Sequence, residues 1–410
     1  MELARGVKDY PPEVEVVRQE LFSLVVDAFE RFGFSAFSSS VIQRKETLTF
    51  KFAGDEDVMS ELFSLSDQGG RELGLRFDLT VPLCRFVAEN KDLKLPFKRF
   101  EIGRVYRDGP IKAGRTREFW QCDADIVGSS SMVADAECLQ LLDFVFSELP
   151  FEYEIRVNNR KLLDEVLSSL GISEKQKTIT LLDKIRKIGE EELRKQYLEY
   201  LSEEQVSGLF SFIKKDLDSF DDSVAVRELR EVFSLVNSEN VVFDPSLARG
   251  LNYYTGTVFE VFLKDSVVTS SVAAGGRYDN IIGQMRGGEV LPAVGCSFGV
   301  EPLTEALLAV QFDQGVSFAD IFVAPIGVVQ EAFVFAQTLR KIGYRVDLDV
   351  MGRSISKNLD YADKQNISFV LVVGKRDLDE GVVTLKNMRT GEEEKLSVGE
   401  LEELDLELFE

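Results

Sequence analysis

KRFEIGRVYRDGPIKAGRTREFWQCDAD, residues 98–125, is the stretch from which the fold of this chain can be read. FEIGRVY and REFWQCDAD alternate apolar and polar side chains with the two-residue period of a strand, and the DGPIKAG between them is turn-forming, which predicts a β-hairpin. Residues 98–117 hold seven cations (Lys98, Arg99, Arg104, Arg107, Lys112, Arg115, Arg117) against Glu101 and Asp108, a local net charge of +5 in a chain of net charge −23. Such a hairpin would set several arginines on one face, with carboxylates near its far end. Guanidinium groups donate two parallel hydrogen bonds to phosphate, and adjacent carboxylates suit an amine or an imidazole. Taken alone, the same residues also fit a solvated hairpin of incidental charge.

Composition narrows the chemistry. At 410 residues the chain has room for two or three domains, and 44% hydrophobic with 29% charged residues reads as globular and soluble. MELARGVKDYPPE lacks an apolar signal region, and no run of about 18 apolar residues occurs, so a cytoplasmic protein without a membrane span is expected. Cys84, Cys122, Cys138 and Cys296 are scattered without a CxxC pair, which suits reduced, buried thiols. Histidine is absent, which excludes imidazole bases, Ser/His/Asp triads and histidine-ligated zinc. The acidity argues against nonspecific nucleic-acid binding but leaves room for a local basic patch at residues 104–117.

Along the chain, Val14, Val17, Leu21, Leu24 and Ala28 recur at helical spacing after Pro11 and Pro12, predicting a helix over 13–31. Strands are expected around 75–81, 99–107 and 117–127, then an amphipathic helix from Val133 to Glu148. Residues 172–236 turn rich in Lys, Glu and Leu and read as a helical insertion, with S-x-x-Q capping boxes at Ser173–Gln176 and Ser202–Gln205. Strands return at 241–243, 256–263 and 267–274. After a break near 311–317, strand and helix alternate through IFVAPIG, VVQEAFVFAQTLRKIG, YRVDLDV, residues 356–364 and ISFVLVVG, a small α/β domain with a largely parallel sheet; the acidic end ELEELDLELFE is expected to be helical.

The hairpin resembles motif 2 of class II aminoacyl-tRNA synthetases. RGLNYYTGTVFEVF (249–262) and AAGGRYDNIIG (273–283) resemble the two signature segments of the histidyl-tRNA synthetases, and LRFDLTVP (75–82) resembles their amino-acid-binding strand. The resemblance runs from ARGVKDYPP near the N-terminus to the C-terminal segment. It implies an α+β catalytic domain with an antiparallel sheet over residues 1–312, a helical insertion at about 172–236 and a C-terminal α/β anticodon-binding domain over 318–410. It also implies a homodimer paired through roughly residues 13–65.

The activity it implies is that of a histidine–tRNA ligase: histidine is activated with ATP and Mg2+ to histidyl-adenylate and transferred to the 3′ end of tRNA(His). Carried over by position, Arg107 and Arg249 are the catalytic cations, with Arg115 and Arg117 completing the ATP contacts. Asp78, Thr80 and Gln121 hold the ammonium end of histidine, Asp125 and Tyr254 its ring, and Tyr253 and Tyr278 the pocket wall, with Gly275 and Gly276 permitting close backbone approach. The metal ligands are not assigned. Two positions depart from the family's pattern: Pro302 stands where motif 3 usually carries an arginine, for which Arg115 or a neighbour is expected to compensate, and Asn252 stands where aspartate is common. A synthetase paralogue acting as a histidine-sensing regulatory subunit is the alternative, favoured only by Pro302.

Overall fold

The hairpin forms as the alternation predicts. Phe97–Tyr106 pairs antiparallel with Glu118–Val127, in register from Phe97 opposite Val127 to Tyr106 opposite Glu118. In this computed structural model residues 2–50, 60–111, 116–249, 253–310 and 317–409 are described, and the chain divides into two compact units, Met1–Phe312 and Asp313–Glu410.

The hairpin sits inside an eight-stranded sheet whose spatial order is Ser35–Ala36, Phe97–Tyr106, Glu118–Val127, Ala293–Gly299, Ala273–Arg277, Thr257–Leu263, Tyr153–Asn159 and Val241–Phe243. Only the outermost pairings are parallel; those between are antiparallel. One face of the sheet is apolar. Cys122, Ala124 and Ile126 of the hairpin, with Phe259, Val261, Val294, Cys296 and Phe298, share a core with the helices Pro12–Arg31 and Met132–Ser147. The first of these helices opens on proline with Glu13 and Glu15 in its first turn, where anions meet unpaired N–H groups. Its buried stripe is Val17, Leu21, Val25, Ala28 and Phe29, while Val14 and Leu24 lie at the flanks. The second is capped by Ser131, whose hydroxyl accepts from Val133 N at 3.3 Å.

The insertion consists of helices Lys175–Leu182, Ile185–Leu198, Glu203–Phe212 and Val224–Val236. Their apolar residues, among them Ile179, Leu193, Tyr197, Leu209 and Leu229, join the same core as the sheet, so the insertion is packed as part of the first unit. The capping box of Ser202 and Gln205 is present. The one expected at Ser173 is not, because the helix starts a residue later, after Glu174, and the Gln176 side-chain amide oxygen Oε1 accepts from Arg160 at 2.9 Å.

Two expected strands differ. Residues 75–81 are not one strand: a strand ends at Leu75 and a helix begins at Thr80, its first turn supported by Asp78, which accepts from Val81 N at 2.8 Å. The strand expected at 267–274 pairs only from Ala273 onward, as Ala273–Arg277.

The second unit carries a five-stranded sheet in the order Val346–Leu348, Ile321–Ile326, Phe369–Gly374, Val382–Asn387, Glu393–Ser397. The first three strands are parallel, and an antiparallel hairpin that the sequence pattern did not reveal extends them. Apolar clusters cover both faces. Its acidic end forms 3-10 turns at Val398–Glu402 and Leu406–Phe409 rather than an α-helix, tied down by the Tyr344 hydroxyl, which donates to Leu404 O at 2.9 Å and accepts from Leu406 N at 3.0 Å.

Candidate active site

Because a strand alternates its faces, burying Cys122, Ala124 and Ile126 turns Phe119, Gln121, Asp123 and Asp125 to the opposite side, where they line a cavity of about 810 Å³. Across the sheet, Gly299, Ser297 and Gly295 stand opposite Gln121, Asp123 and Asp125. Glycine at 295 is a spatial requirement: a Cβ there would come within 2.1 Å of Asp125 Oδ1. At Gly276 a Cβ would lie 2.9 Å from the Tyr254 ring. Asp78 and Thr80 enter from the start of the helix Thr80–Glu89, and Arg107, Arg249, Tyr253, Tyr254 and Tyr278 complete the wall.

Nine of the residues singled out in the sequence therefore meet around one cavity: Asp78, Thr80, Arg107, Gln121, Asp125, Arg249, Tyr253, Tyr254 and Tyr278. Arg117 is not among them. Its guanidinium pairs with Asp108 at 3.0 Å and donates to Gly109 O at 3.4 Å, bracing the turn beside the cavity. Arg115 and Asn252 lie outside the described residues.

The cations of the hairpin have divided tasks. Arg107 stacks between Phe77 and Phe119, its guanidinium carbon 4.3 and 4.9 Å from the ring centroids, and its Nε donates to Phe77 O at 3.3 Å. Arg99 is fully buried and faces no solvent; Nη2 lies 2.7 Å from Asp125 Oδ2 and donates to Leu79 O at 3.2 Å. Lys98 is held by Glu137 at 2.7 Å, and Arg104 by Glu118 at 3.3 Å while lying 5.2 Å from the Trp120 ring. The expectation of several arginines on one ligand-facing side reduces, among the described residues of the hairpin, to Arg107 on the cavity wall, because strand parity and burial take the others elsewhere.

Asp125 accepts a short hydrogen bond from the Tyr278 hydroxyl in addition to its contact with Arg99. Tyr278, expected as wall, thus fixes the carboxylate it touches. The Tyr253 hydroxyl donates to that of Tyr254 at 3.1 Å, and burial pushes the Tyr253 phenol upward, keeping it neutral. Arg249 forms an ion pair with Glu260 and lies 5.6 Å from the Tyr254 ring. Sequence reasoning missed Asp123, although it occupies the strand position between Gln121 and Asp125; the two-residue period would have found it. Burial foremost, together with Asp125 and Asp78, pushes its carboxyl up to about 7 against the opposing pull of Arg99 and Ser297.

Pro302 occupies the first turn of the helix Val300–Ala309, where its missing N–H has no intrahelical acceptor to serve. Its neighbour Glu301 accepts from Trp120 N at 3.1 Å and from Arg18 at 3.4 Å, locking this helix to the hairpin and the N-terminal helix. No cluster of three or more His, Cys, Asp or Glu that could hold a metal occurs among the described residues. Glu61 and Asp108, both on the cavity wall beside Gly109, are carboxylates suited to an ion that arrives on phosphate oxygens and keeps its waters.

A family model for histidyl-tRNA synthetase matches residues 6–303, and one for an anticodon binding domain matches 320–407. The chain is 42% identical to a histidine--tRNA ligase 1 of Bacillus cereus over 98% of its own length and 99% of the relative's. The structure of histidyl-tRNA synthetase from Nostoc sp. PCC 7120 superposes with a TM-score of 0.86 at 28% identity, covering 98% of each chain. An ATP phosphoribosyltransferase regulatory subunit/histidyl-tRNA synthetase from Bacillus halodurans C shares the fold, with a TM-score of 0.75 at 22% identity over 91% of this chain and 98% of that one.

Proposed function

We infer that this chain, which belongs to the histidyl-tRNA synthetase family, works as a histidine–tRNA ligase through the cavity described above. It activates histidine with ATP and joins it to tRNA. The observation that carries the site assignment is the convergence of Arg107 and Arg249 with Asp78, Gln121 and Asp125 around one cavity of about 810 Å³, in a chain otherwise strongly acidic. Activation brings the histidine carboxylate onto the α-phosphate of ATP, so two anions must meet while charge builds on phosphate oxygens. Fixed cations lower that barrier more than proton transfer would. Arg107, clamped between two aromatic rings, is held ready for the phosphate, and Arg249, anchored by Glu260, is assigned to the α-phosphate and the substrate carboxylate. Magnesium would neutralise the polyphosphate, with Glu61 and Asp108 on the cavity wall as candidates to hold it.

Selection of histidine is assigned to Asp125 and Tyr254 at the ring and to Asp78, Thr80 and Gln121 at the ammonium. A buried carboxylate fixed by Arg99 and Tyr278 cannot turn aside when a side chain without N–H groups enters. Leaving it unanswered is costly, which is how a polar pocket rejects apolar rivals. The experiment is ATP–pyrophosphate exchange with each of the twenty amino acids: histidine should drive magnesium-dependent exchange and the others should not. Intact histidine binding with no exchange above a blank would overturn the reading.

The second unit, with its match to the anticodon binding domain, is assigned to the anticodon end of tRNA(His), and the protein to the cytoplasm. A homodimer through residues 13–65 is part of this reading. It is supported by the large apolar side chains Ile42, Phe50 and Leu65, each more than 40% exposed within that region. Light scattering at micromolar concentration should give twice the 46.1 kDa of one chain, and a fully active monomer would refute the pairing.

A further inference from the structure

Two acceptors beside the cavity, Gln121 Oε1 and Asp123 Oδ1, are buried without a hydrogen-bond partner among the described residues. They are neighbours. Both belong to the cavity-facing side of the strand Glu118–Val127, and Ser297 stands between them: the Gln121 amide donates to the Ser297 hydroxyl at 3.0 Å, and that hydroxyl reaches the Asp123 carboxylate. An unpaired acceptor in a protein interior costs free energy until a donor arrives. Arg99, the nearest cation, is turned to Asp125 and Leu79, and two of its nitrogens make no hydrogen bond. Both residues line the cavity, so a ligand group entering it can answer both, and a group that faces two adjacent acceptors does so best with several N–H bonds and a positive charge.

We propose that Asp123 is a further amino-acid-binding carboxylate, its Oδ1 accepting with Gln121 Oε1 from the α-ammonium of the bound histidine. This rests on the function inferred above and adds a residue to Asp78, Thr80 and Gln121. An ammonium carries three donors in a tetrahedral fan, and Asp78 has one oxygen engaged with Val81 N. The ring end is served by Asp125, which Tyr278 and Arg99 orient.

Charge linkage follows. Asp123 is faced by Arg99 and Glu101 from the neighbouring hairpin strand, Asp125 on its own strand, Asp78 ahead of the helix Thr80–Glu89, and Tyr253. Its carboxyl, pushed up to about 7 by burial, loses a proton more readily once a cation sits beside it. A protonated Asp123 meeting the ammonium becomes a carboxylate–ammonium pair, and the proton passes to solvent.

The test is calorimetric titration of wild type and Asp123→Asn with L-histidine and with imidazole-4-propionate, which lacks the ammonium. Titrations run at about pH 7 in buffers of different ionisation enthalpy. The wild type should release a fraction of a proton per histidine. In Asp123→Asn that release should vanish and histidine affinity fall about tenfold or more, with binding of imidazole-4-propionate unchanged. Unchanged histidine affinity, an equal loss for both ligands, or proton release retained by the variant would each overturn the assignment. If the variant does not fold, the wild type is compared with its two ligands: equal affinity and equal proton exchange for histidine and imidazole-4-propionate overturn it. A wild type that binds no histidine would instead bring down the functional reading itself, so the two failures are distinguishable.

Discussion

Arg249→Ala should lower histidine-dependent exchange by roughly a hundredfold while weakening histidine binding much less, because removing one preorganised contact to developing charge costs about 3 kcal/mol of barrier. Arg249 is both on the cavity wall and paired with Glu260, so its loss also strands a partly buried carboxylate. The double variant Arg249→Ala with Glu260→Gln separates the two effects. It should recover any lost thermal stability but none of the lost exchange. Arg249→Lys should recover the charge without the planar fork and rank between wild type and alanine. Exchange rates and calorimetric histidine affinity, measured side by side, decide it; a fall in exchange of less than about tenfold would remove Arg249 from the reacting centre.

Arg99→Met should destabilise the first unit by about 3 to 5 kcal/mol, the cost of removing one partner from a buried charge cluster. Arg99 is wholly buried, with Asp125 at 2.7 Å and Glu101 at 3.8 Å, and Asp123 is near enough for Arg99 to draw its carboxyl downward. Methionine fills similar volume but answers none of these carboxylates. The deficit depends on pH, and the sign is fixed by Asp123. Its carboxyl is raised when folded, so the folded state holds the proton to higher pH than the unfolded chain, and stability falls as pH rises toward about 7. Without Arg99 the carboxyl rises further. The gap between variant and wild type should therefore be widest above neutrality and narrow in mild acid. Thermal unfolding followed by near-ultraviolet circular dichroism should show a loss on the order of 10 °C on the alkaline side. An equal loss at both pH values would mean that packing, not charge, is what Arg99 supplies.

What the sequence by itself determined was local. Alternation over residues 100–106 and 117–125 with a turn-forming link makes a hairpin whatever surrounds it, since period and turn chemistry are short-range properties. The apolar spacing from Val17 to Ala28 makes a helix, and the S-x-x-Q at Ser202 caps one, for the same reason. The motif residues met around the cavity because the segments bearing them are central strands of the sheet or flank them. Tertiary structure decided which residue of a pattern does what. Seven cations looked alike in the sequence, yet burial made Arg99 a counterion, Asp108 claimed Arg117, and stacking on Phe77 and Phe119 left Arg107 on the cavity wall. Residues 75–81 are expected as one strand, but Asp78 takes the N–H of Val81 and the chain turns into a helix. Tyr278 fixes Asp125 across 153 residues of sequence, and Asp123 stands over a serine that only sheet register brings opposite. Such pairings depend on which strands become neighbours and in what register, and no local period encodes that, because a shift of one residue would turn every one of these side chains to the other face.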